Sequence, residues 1–250
     1  NTLYKTLCDH PDFCALDFTT LKLSSSGGMA MSPLVAQRWQ QLTGCQVLEG
    51  YGLSECAPLV ACNNSADFRQ GTVGKAAADT LIMIKDQQGR EMASGEAGEI
   101  CVKGPQVMQA YWLQPGETAK VFDAEGWLHT GDIGVLDAEG YLTIVDRIKD
   151  LILVSGFNVY PNEIEDYVCS HPDIRDAAVI GTGDEYTPRI KLFVVTANAA
   201  LTEEEVLSWC RQGLAPYKVP KLVEFRANLP RNNVGKVLRR ELRAAETNPV

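Results

Sequence analysis

The run from Trp127 to Pro161, WLHTGDIGVLDAEGYLTIVDRIKDLILVSGFNVYP, constrains the fold of this chain more than any other segment. An acidic turn, Thr130-Gly131-Asp132, precedes a strand that ends in the charged residues 146–150, and a loop that contains Gly156 follows. A carboxylate, a guanidinium and an ammonium in one short stretch suit a ligand that carries both sugar hydroxyls and phosphates. A nucleotide fits that description.

The length and composition set limits on the class of protein. At 250 residues, with 45% hydrophobic and 22% charged residues, the chain is long enough for one large domain or two ordinary ones. No apolar stretch reaches the ~20 residues of a membrane span, and the N-terminus lacks the pattern of a signal peptide. The net charge of −9 argues against nucleic acid as a partner. The missing initiator methionine predicts a processed or truncated piece.

The cysteines and histidines show no pattern typical of a metal site. Eight cysteines are scattered without a CxxC pair, at positions 8, 14, 45, 56, 62, 101, 169 and 210. They indicate reduced core residues of a cytoplasmic protein rather than a disulfide or zinc framework. The three histidines lie far apart, and no feature singles out a catalytic cysteine.

Positive charge is concentrated near the C-terminus. From Arg211 to Arg243 there are nine Lys/Arg residues and only two acidic residues, Glu224 and Glu241. Such a run is either a solvated basic face or a surface that meets phosphates.

The first 70 residues have the pattern of a βαβ unit. A strand is predicted over 21–26 and runs into Gly27-Gly28. Ser32 and Pro33 then begin a helix in the preferred order of N-cap and first-turn proline, and Gly44 ends it. A second strand over 46–49 enters the glycine-rich loop GYGLSE, residues 50–55. Both glycine segments should emerge at the carboxyl ends of parallel strands, where open α/β sheets bind ligands.

The pattern changes after residue 70. Short strands alternate with turns, which predicts a small antiparallel barrel or sheet. Past Asp150 an α+β pattern follows, with a helix that opens at Pro161 and another that begins with a capping box of Thr202 and Glu205. The predicted strands are 81–85, 98–103, 141–146, 176–181 and 190–196, and the last predicted helix is 202–213.

The predicted fold class is therefore α/β and α+β in several domains. Residues 1–70 form the end of an α/β sheet subdomain, residues 71–147 a small distorted β-barrel, and residues 148–250 a complete α+β domain. The boundary before this last domain falls at 147–150, inside the opening run.

Two glycine segments and one acid are candidates for the base and metal side of a nucleotide site. Gly27-Gly28 and Gly50-Tyr51-Gly52 could let the backbone lie against a flat base, with Tyr51 stacked on it, although glycine turns taken singly are weak evidence. Glu55 ends the second segment, and its carboxylate is a hard oxygen ligand of the kind that Mg²⁺ prefers. The alternative for Glu55 is an exposed acid at the end of a loop.

Three charged residues are candidates for the sugar and phosphates. Asp132 could accept hydrogen bonds from two ribose hydroxyls, and Arg147 could bind a phosphate or ribose edge in a charge-assisted pair. The alternative is a surface Asp–Arg pair worth ~0–1 kcal/mol. Lys236 follows Gly235 in a proline-bounded, mobile loop, from which it could supply charge to a reacting phosphoryl group. A solvated lysine is the alternative there.

Six motifs taken together identify a family. In order, the chain contains the glycine pair, GYGLSE, WLHTGD, DRIKD, SGFNVYPNEIE and PRNNVGK. These motifs resemble those of the adenylate-forming acyl-CoA synthetase superfamily, and the resemblance covers nearly the whole chain. The longer segments EGYGLSECAPLV, GWLHTGDIG and NVGKVLRREL are similar to the bacterial long-chain fatty acid CoA ligases.

The resemblance implies a reaction and a set of roles. ATP and a fatty acid would form acyl-adenylate and pyrophosphate, and CoA would then take the acyl group and release AMP. Gly27, Gly28, Gly50, Tyr51 and Gly52 would line the adenine and the acyl carboxylate, with Ser54 in the same motif. Glu55 would hold Mg²⁺, Asp132 the ribose and Arg147 the ribose or phosphate, while Lys236 would stabilise the adenylation transition state.

The resemblance also implies a moving domain. In the family the carboxyl-terminal domain is a lid that rotates between the half-reactions, and Lys149 matches the hinge position. Gly156 matches a loop that lets the pantetheine arm of CoA approach. The basic stretch near the C-terminus would then meet the phosphates of CoA.

The chain departs from the family in what it lacks. The phosphate-binding Ser/Thr/Gly loop that ends in a lysine is absent from all 250 residues, and so is most of the acyl-binding N-terminal domain. We expect the C-terminal half of a longer enzyme, which by itself does not turn over ATP. Ser54 stands where threonine is usual, and Pro188-Arg189 where Gly-Glu is common.

Two alternative functions agree with the sequence. A non-catalytic interaction module could retain the AMP-side contacts. Within the enzyme class, a synthetase for short-chain or aryl acids is the alternative, because the selective pocket lies mainly in the absent part. A long-chain substrate would be consistent with peripheral association with the inner membrane.

Overall fold

The computed structural model describes residues 2–183, 188–233 and 235–247. The chain forms two compact units, Asn1–Ile144 and Val145–Val250. The predicted subdomain boundaries and the pivot at 147–150 stay predictions.

The first unit opens with an α/β sheet. Helices α1 (Thr2–Asp9) and α2 (Pro11–Cys14) precede strand β1 (Ser24–Gly27), helix α3 (Pro33–Thr43) and strand β2 (Val47–Gly52). Strands β1 and β2 pair in parallel, which confirms the predicted βαβ unit.

Local signals set the ends of α3, as the sequence indicates. Ser32 is the N-cap residue and Pro33 is the first helical residue. Gly44 ends the helix with a φ of 71°, in the left-handed region that favours glycine. Strand β1 begins at Ser24 rather than at residue 21.

The segment expected to be a glycine-rich loop is largely strand. Strand β2 extends through Gly52 because residues 50–52 pair antiparallel with strand β3 (Leu59–Cys62). Strand β4 (Lys75–Ala76) pairs with β3 and completes the sheet in the order β1-β2-β3-β4. A 3₁₀ turn, Ser54–Cys56, connects β2 to β3.

The strands after residue 70 form an open sheet. Its order is β5-β6-β7-β8, and β5, β6 and β7 pair antiparallel. The strands are β5 (Leu81–Lys85), β6 (Ala97–Lys103), β7 (Leu128–Leu136) and β8 (Leu142–Arg147), with helix α4 (Pro115–Val121) between β6 and β7. The sheet alternative is thus confirmed over the barrel: within the described residues β5 and β8 stand at opposite ends of the strand order and do not close a ring.

The second unit is an α+β domain. It contains an antiparallel hairpin, β9 with β10, and a sheet of order β11-β12-β13 in which β12 pairs antiparallel with β11 and parallel with β13. The elements are the 3₁₀ turn Ile148–Asp150, β9 (Ile152–Val154), β10 (Phe157–Val159), α5 (Pro161–Cys169), β11 (Ile174–Thr182), β12 (Arg189–Thr196), α6 (Glu203–Gly213), the 3₁₀ turn Pro216–Lys218, β13 (Leu222–Phe225) and α7 (Arg239–Thr247). The predicted capping box of Thr202 and Glu205 is confirmed.

Helices cover both faces of the three-stranded sheet. On one face Val179, Leu192 and Val194 are buried in the same cluster as residues of α5 and α6. The residues that alternate with them, among them Ala178 and Phe193, form a second buried cluster with Leu242 of α7. Because side chains of a strand point alternately to the two faces of the sheet, α7 packs on a second core, on the face away from α5 and α6.

The cysteines agree with a reduced protein. All eight are free, and five of them are buried, namely Cys8, Cys45, Cys56, Cys101 and Cys210. Cys14 and Cys169 are exposed, in contrast to the expectation of core positions throughout. No helix among the described residues has the length and apolar character of a membrane span.

Candidate active site

The glycines of the first unit differ in how much space their backbone leaves for a side chain. A Cβ on Gly52 would lie 2.0 Å from the carbonyl oxygen of Pro58, so no side chain fits there. A Cβ on Gly27 would lie 3.5 Å from the carbonyl oxygen of Gly50, which is an ordinary contact. Gly28 has a φ of 81° and therefore favours glycine for its backbone conformation.

Tyr51 and Asp132 form one site although they come from different sheets. The Tyr51 hydroxyl donates a hydrogen bond of 2.7 Å to Oδ2 of Asp132. Asp132 is 8% exposed. Burial, and then the neighbouring Asp132 carboxylate, raise the pKa of Tyr51 well above its ordinary value, so the hydroxyl stays protonated and keeps donating.

The predicted turn Thr130-Gly131-Asp132 is a bulge inside strand β7. Glu99 pairs with Ile133 and Cys101 with His129, so three residues of β7 face the single residue between Glu99 and Cys101. Gly131 has a φ of 73°, which allows the extra residues to be accommodated. A bulge redirects a side chain out of the regular alternation, and here it presents Asp132 to Tyr51.

Glu99 on the neighbouring strand fixes this bulge. Its Oε1 accepts a hydrogen bond of 2.9 Å from the backbone N–H of Gly131, and its Oε2 lies 2.7 Å from Nδ1 of His129. The backbone N–H of Asp132 donates to the Thr130 hydroxyl over 3.1 Å. The Thr130 hydroxyl in turn donates to the carbonyl of Ile100 over 2.8 Å, so residues on both sides of Asp132 in the chain are bonded to β6 or to each other.

Glu99, Cys101 and His129 have ligand atoms within 4.8 Å of one another, a spacing that a metal ion could use. Their hydrogen bonds give these residues another role. Burial and the nearby Glu99 raise the pKa of Cys101 to about 12, so the free thiol is protonated at neutral pH. Glu99 is already bonded to Gly131 and His129. We interpret this group as structural.

Glu55 lies in the 3₁₀ turn after β2, beside exposed Ser54. Its side chain is half-buried, and Oε1 accepts a hydrogen bond of 2.8 Å from the hydroxyl of Tyr111. This bond, and then burial, raise the pKa of Tyr111. The backbone carbonyl of Glu55 also accepts a 2.7 Å bond from the N–H of Met108. Glu55 is therefore a positioned carboxylate rather than a loosely held acid at the end of a loop.

In the second unit, Arg147 ends strand β8 and Lys149 lies in the 3₁₀ turn that follows. Asp146 is 1% exposed and accepts hydrogen bonds from the backbone N–H groups of Arg147, at 2.8 Å, and of Asn162, at 2.9 Å. Asp150 is buried as well, whereas Lys149 between them is exposed. Two buried carboxylates, Asp146 and Asp150, thus flank the exposed Lys149 in this segment.

Gly156 forms the tip of the β9–β10 hairpin. Ser155 and Gly156 have φ values of 51° and 83°, the combination that a two-residue hairpin turn requires. Phe157, which follows, is 55% exposed and stacks on Tyr217 with ring centroids 4.7 Å apart. The tip carries no bulky side chain and stands beside an aromatic pair.

Lys236 lies in a hairpin of which residues 231–233 and 235–237 are described. Arg231 and Val237 form a β-bridge at its base. Within the turn, the backbone N–H of Asn232 donates to the carbonyl of Lys236 at 3.0 Å, and the N–H of Lys236 donates to Oδ1 of Asn232 at 2.9 Å. Gly235 adopts a φ of 83° between them. The backbone of the lysine is therefore held from both sides.

The basic run near the C-terminus is largely compensated. Within the described residues, ion pairs join at least six of its nine cations to carboxylates: Arg211 to Glu204, Lys218 to Glu163, Arg226 to Glu224, Arg231 to Asp176, Arg239 to Glu165 and Arg243 to Asp150. This observation favours the structural interpretation of the run over a surface that exists to meet phosphates.

The sequence-predicted residues divide between the units. Gly27, Gly28, Gly50, Tyr51, Gly52, Ser54, Glu55 and Asp132 lie in the first, and Arg147, Lys149, Gly156 and Lys236 lie in the second. Sequence reasoning missed Glu99, Tyr111 and Arg239, which hold the predicted residues in place. A glutamate inside the otherwise apolar strand segment 97–102 was the one available signal.

Two family models match the chain. One, described as AMP-binding enzyme, matches residues 1–112, and the other, described as AMP-binding enzyme C-terminal domain, matches residues 163–236. The chain is 52% identical over 245 residues to a long-chain-fatty-acid–CoA ligase of Salmonella typhimurium, covering 97% of this chain and 44% of the relative. It is 42% identical over 250 residues to a ligase of the same name from Bacillus subtilis, covering 98% of this chain and again 44% of the relative.

The chain is also similar to solved structures. ATP-bound MatB from Rhodopseudomonas palustris superposes with a TM-score of 0.90 at 34% identity, covering 99% of this chain and 50% of that one. The o-succinylbenzoate CoA synthetase MenE from Bacillus subtilis, in complex with the acyl-adenylate intermediate OSB-AMP, superposes with a TM-score of 0.78 at 32% identity, covering 87% of this chain and 45% of that one. The chain thus spans about half the length of the proteins it matches.

Proposed function

The chain belongs to the AMP-binding enzyme family, and from that premise we propose that it is part of a long-chain fatty acid CoA ligase. Identity of 52% to a relative of that name, over 97% of this chain, is the observation that carries the proposal. Since the chain covers 44% of that relative, the activity belongs to a longer protein, which we call the parent enzyme. The fold agrees with that of ATP-bound and acyl-adenylate-bound structures in the family.

The first unit would bind the nucleoside. Gly27, Gly28, Gly50 and Gly52 expose backbone against which the adenine and the acyl carboxylate lie, together with Tyr51 and Ser54. Asp132 accepts hydrogen bonds from the ribose hydroxyls, and the bulge bonded to Glu99 orients it for that purpose. Tyr51 stays protonated and donates to Asp132, which holds the carboxylate in place.

The chemistry of Glu55 fits Mg²⁺. A carboxylate is a hard oxygen ligand, and Mg²⁺ on a nucleotide typically takes one or two carboxylates besides phosphates and waters. The Tyr111 hydroxyl, 2.8 Å from Oε1, orients the carboxylate without neutralising it. When bound, the ion would neutralise phosphate charge during adenylation. Glu55 would hold it at the end of β2, next to the nucleoside residues.

The second unit would supply the moving parts. Lys236 would stabilise the charge that develops on the α-phosphoryl group as the fatty carboxylate attacks and pyrophosphate leaves. Arg147 would contact the ribose or a phosphate. Lys149 would lie at the pivot, and the Gly156 hairpin tip would admit the pantetheine arm of CoA, whose thiol displaces AMP from the acyl-adenylate.

The test of function is the acid dependence of the parent enzyme. ATP–pyrophosphate exchange and thioester formation are measured with butanoate, octanoate, hexadecanoate and benzoate. We expect the highest kcat/KM with hexadecanoate. A preference for benzoate or butanoate would contradict the long-chain substrate but would agree with the proposed reaction type. Absence of exchange with every acid would favour the alternative, a non-catalytic interaction module.

The isolated 250-residue chain should not catalyse the exchange. Its residues do not include the Ser/Thr/Gly loop with a terminal lysine that cradles the β- and γ-phosphates in this family. Exchange by the isolated chain, at a rate comparable to that of the parent enzyme, would refute this part of the proposal. Mixing the chain with the remaining part of the parent enzyme, expressed separately, provides the positive control.

We also propose a cytoplasmic location with peripheral association with the inner membrane, because a long-chain fatty acid partitions into lipid and must be taken from it. Co-sedimentation of the parent enzyme with phospholipid vesicles that contain hexadecanoate checks this. Complete recovery in the supernatant would contradict it.

A further inference from the structure

Two arginines anchor the ends of the hairpin that carries Lys236. On the amino-terminal side, Arg231 forms an ion pair of 2.5 Å with Asp176 of strand β11. On the carboxyl-terminal side, Arg239 begins helix α7 only three residues after Lys236. Both anchors lie within the second unit, and the Arg239 side chain, 10% exposed, is the more deeply buried of the two.

Arg239 joins three parts of the second unit. Its Nη2 atom lies 2.8 Å and 2.7 Å from the two carboxylate oxygens of Glu165 and 2.9 Å from Oδ1 of Asn162, both on helix α5. Its Nη1 atom lies 3.5 Å from Oδ2 of Asp150, the last residue of the 3₁₀ turn that contains Lys149. Burial alone would lower the pKa of Arg239, but Glu165 and Asp150 raise it, so the guanidinium remains charged.

A second arginine of α7 strengthens the link to this turn. Arg243, one helical turn after Arg239, donates a 2.8 Å hydrogen bond to Oδ1 of Asp150. Each oxygen of the Asp150 carboxylate thus faces a guanidinium of α7. Asp150 is 5% exposed and the Arg239 side chain 10%, so the Arg239–Asp150 pair is shielded from water and less screened than a surface pair, whereas Arg243 is 37% exposed.

We propose that Arg239 is a positioning residue, which fixes the Lys236 hairpin to helix α5 and to Asp150 so that the lysine and the end of the hinge segment 147–150 move as one body. The pivot is then confined to the residues before Asp150. Lys236 then rotates about the pivot together with the rest of the second unit. The angle at the pivot, rather than motion of the hairpin, determines the position of the lysine. The catalytic part of this inference rests on the proposed role of Lys236, whereas the mechanical part does not.

The test compares Arg239→Gln, Arg239→Lys and the control Arg211→Gln in the parent enzyme. Arg211 belongs to the same basic run, but its partner Glu204 is exposed. For Arg239→Gln we expect acyl-adenylate formation to slow by about 100-fold, the loss typical of a displaced catalytic group, with an unchanged KM for ATP. Thioester formation from supplied acyl-adenylate should stay at the wild-type rate. Arg239→Lys keeps a charge for Glu165 and should recover part of the adenylation rate, and Arg211→Gln should match the wild type.

Hydrogen exchange of backbone amides provides the mechanical readout. In Arg239→Gln, exchange should accelerate together at Asn232 and Leu238, which are bonded within the hairpin, and at Leu151, which is bonded to the hinge segment. Should Arg239→Gln fail to fold, Arg239→Lys carries both measurements.

Three results would overturn the inference: wild-type adenylation in a folded Arg239 variant, equal losses in both half-reactions, or faster exchange in the hairpin with Leu151 unchanged. A wild-type parent enzyme that adenylates no acid would refute the proposed function instead, and the exchange data would still decide whether Arg239 couples the two segments.

Discussion

The hydroxyl of Tyr51 donates a hydrogen bond of 2.7 Å to the carboxylate of Asp132, across 81 positions of sequence. Tyr51 belongs to strand β2 of the first sheet, and Asp132 to a bulge in strand β7 of the second. The bond therefore joins the two sheets of the first unit at the residues proposed to bind the nucleoside. A buried carboxylate that must accept hydrogen bonds from a ligand is oriented in this way.

Removal of the Tyr51 hydroxyl should weaken nucleotide binding. A hydrogen bond to a charged group contributes ~1.5–3 kcal/mol, so we expect Tyr51→Phe to raise the KM for ATP of the parent enzyme by about tenfold or more. Tyr141→Phe is the control, because it removes a hydroxyl–carboxylate bond, to Asp67, elsewhere in the same unit. Steady-state kinetics with varied ATP measure the effect, and equal KM values for the two variants would argue against the role of Tyr51.

Two glycines of the proposed adenine pocket should respond differently to alanine. Gly52→Ala places a Cβ 2.0 Å from a backbone oxygen, so we expect loss of the folded first unit or destabilisation by about 3 kcal/mol or more. Gly27→Ala makes only a 3.5 Å contact and should leave stability within about 1 kcal/mol of the wild type while weakening ATP binding. Urea unfolding and ATP titration measure the two effects. A stable Gly52→Ala protein, or full ATP affinity in Gly27→Ala, would contradict the respective assignment.

Local sequence signals determine the elements that the sequence predicted well. Ser32-Pro33 and Gly44 bound helix α3, and the capping box of Thr202 and Glu205 begins α6, because each signal acts through its own backbone. The βαβ pairing followed from these elements.

Partners distant in sequence determine what was not predicted. The bulge at Asp132 depends on pairing with β6, and its support comes from Glu99, 32 positions before Gly131. Tyr111 lies 56 positions from Glu55, and Arg239 lies 74 positions from Glu165. Hydrophobic periodicity and motif spacing relate residues that are close in sequence, so they could not predict these partners. The residues that hold the site were therefore visible only in three dimensions.

The ion pair of Lys85 and Asp123 should make the stability of the first unit depend on acid pH. Their side-chain atoms lie 2.7 Å apart, and Lys85 is 4% exposed. Burial alone would raise the pKa of Asp123, but hydrogen bonds from Lys85 and from the backbone N–H groups of Trp127 and Glu125 lower it to about 2. Because this folded-state pKa lies below the unfolded-state value of ~3.9, the stabilisation is present above about pH 4 and is lost as the pH falls towards about 2.

Asp123→Asn should remove that part of the pH dependence. We expect a smaller change in the free energy of unfolding between about pH 6 and about pH 3 than in the wild type, together with lower stability at about pH 6, because Lys85 loses its partner. Glu117→Gln, on the exposed face of α4, is the control and should retain the wild-type profile. Urea unfolding of the 250-residue chain at both pH values measures this. Parallel profiles for Asp123→Asn and the wild type would show that the pair does not contribute.

The pivot at Lys149 can be tested by restricting its backbone. Proline fixes φ near −65°, so Lys149→Pro should hinder rotation and slow thioester formation more than adenylation, by about tenfold, which corresponds to ~1.4 kcal/mol of barrier. Lys149→Ala removes the charge but leaves the backbone free, and it should spare both steps. Rapid-quench measurements of the two half-reactions distinguish the variants. Similar behaviour of Lys149→Pro and Lys149→Ala would locate the pivot elsewhere.

The most direct test of the account is Lys236→Ala in the parent enzyme, with the two half-reactions measured separately. If the hairpin between Arg231 and Arg239 presents this lysine to the reacting phosphoryl group, acyl-adenylate formation should fall by about 100- to 1,000-fold, as when a preorganised donor is removed from a transition state. Thioester formation from supplied acyl-adenylate and CoA should stay close to the wild-type rate. Equal loss in both steps, or undiminished adenylation, would contradict the account.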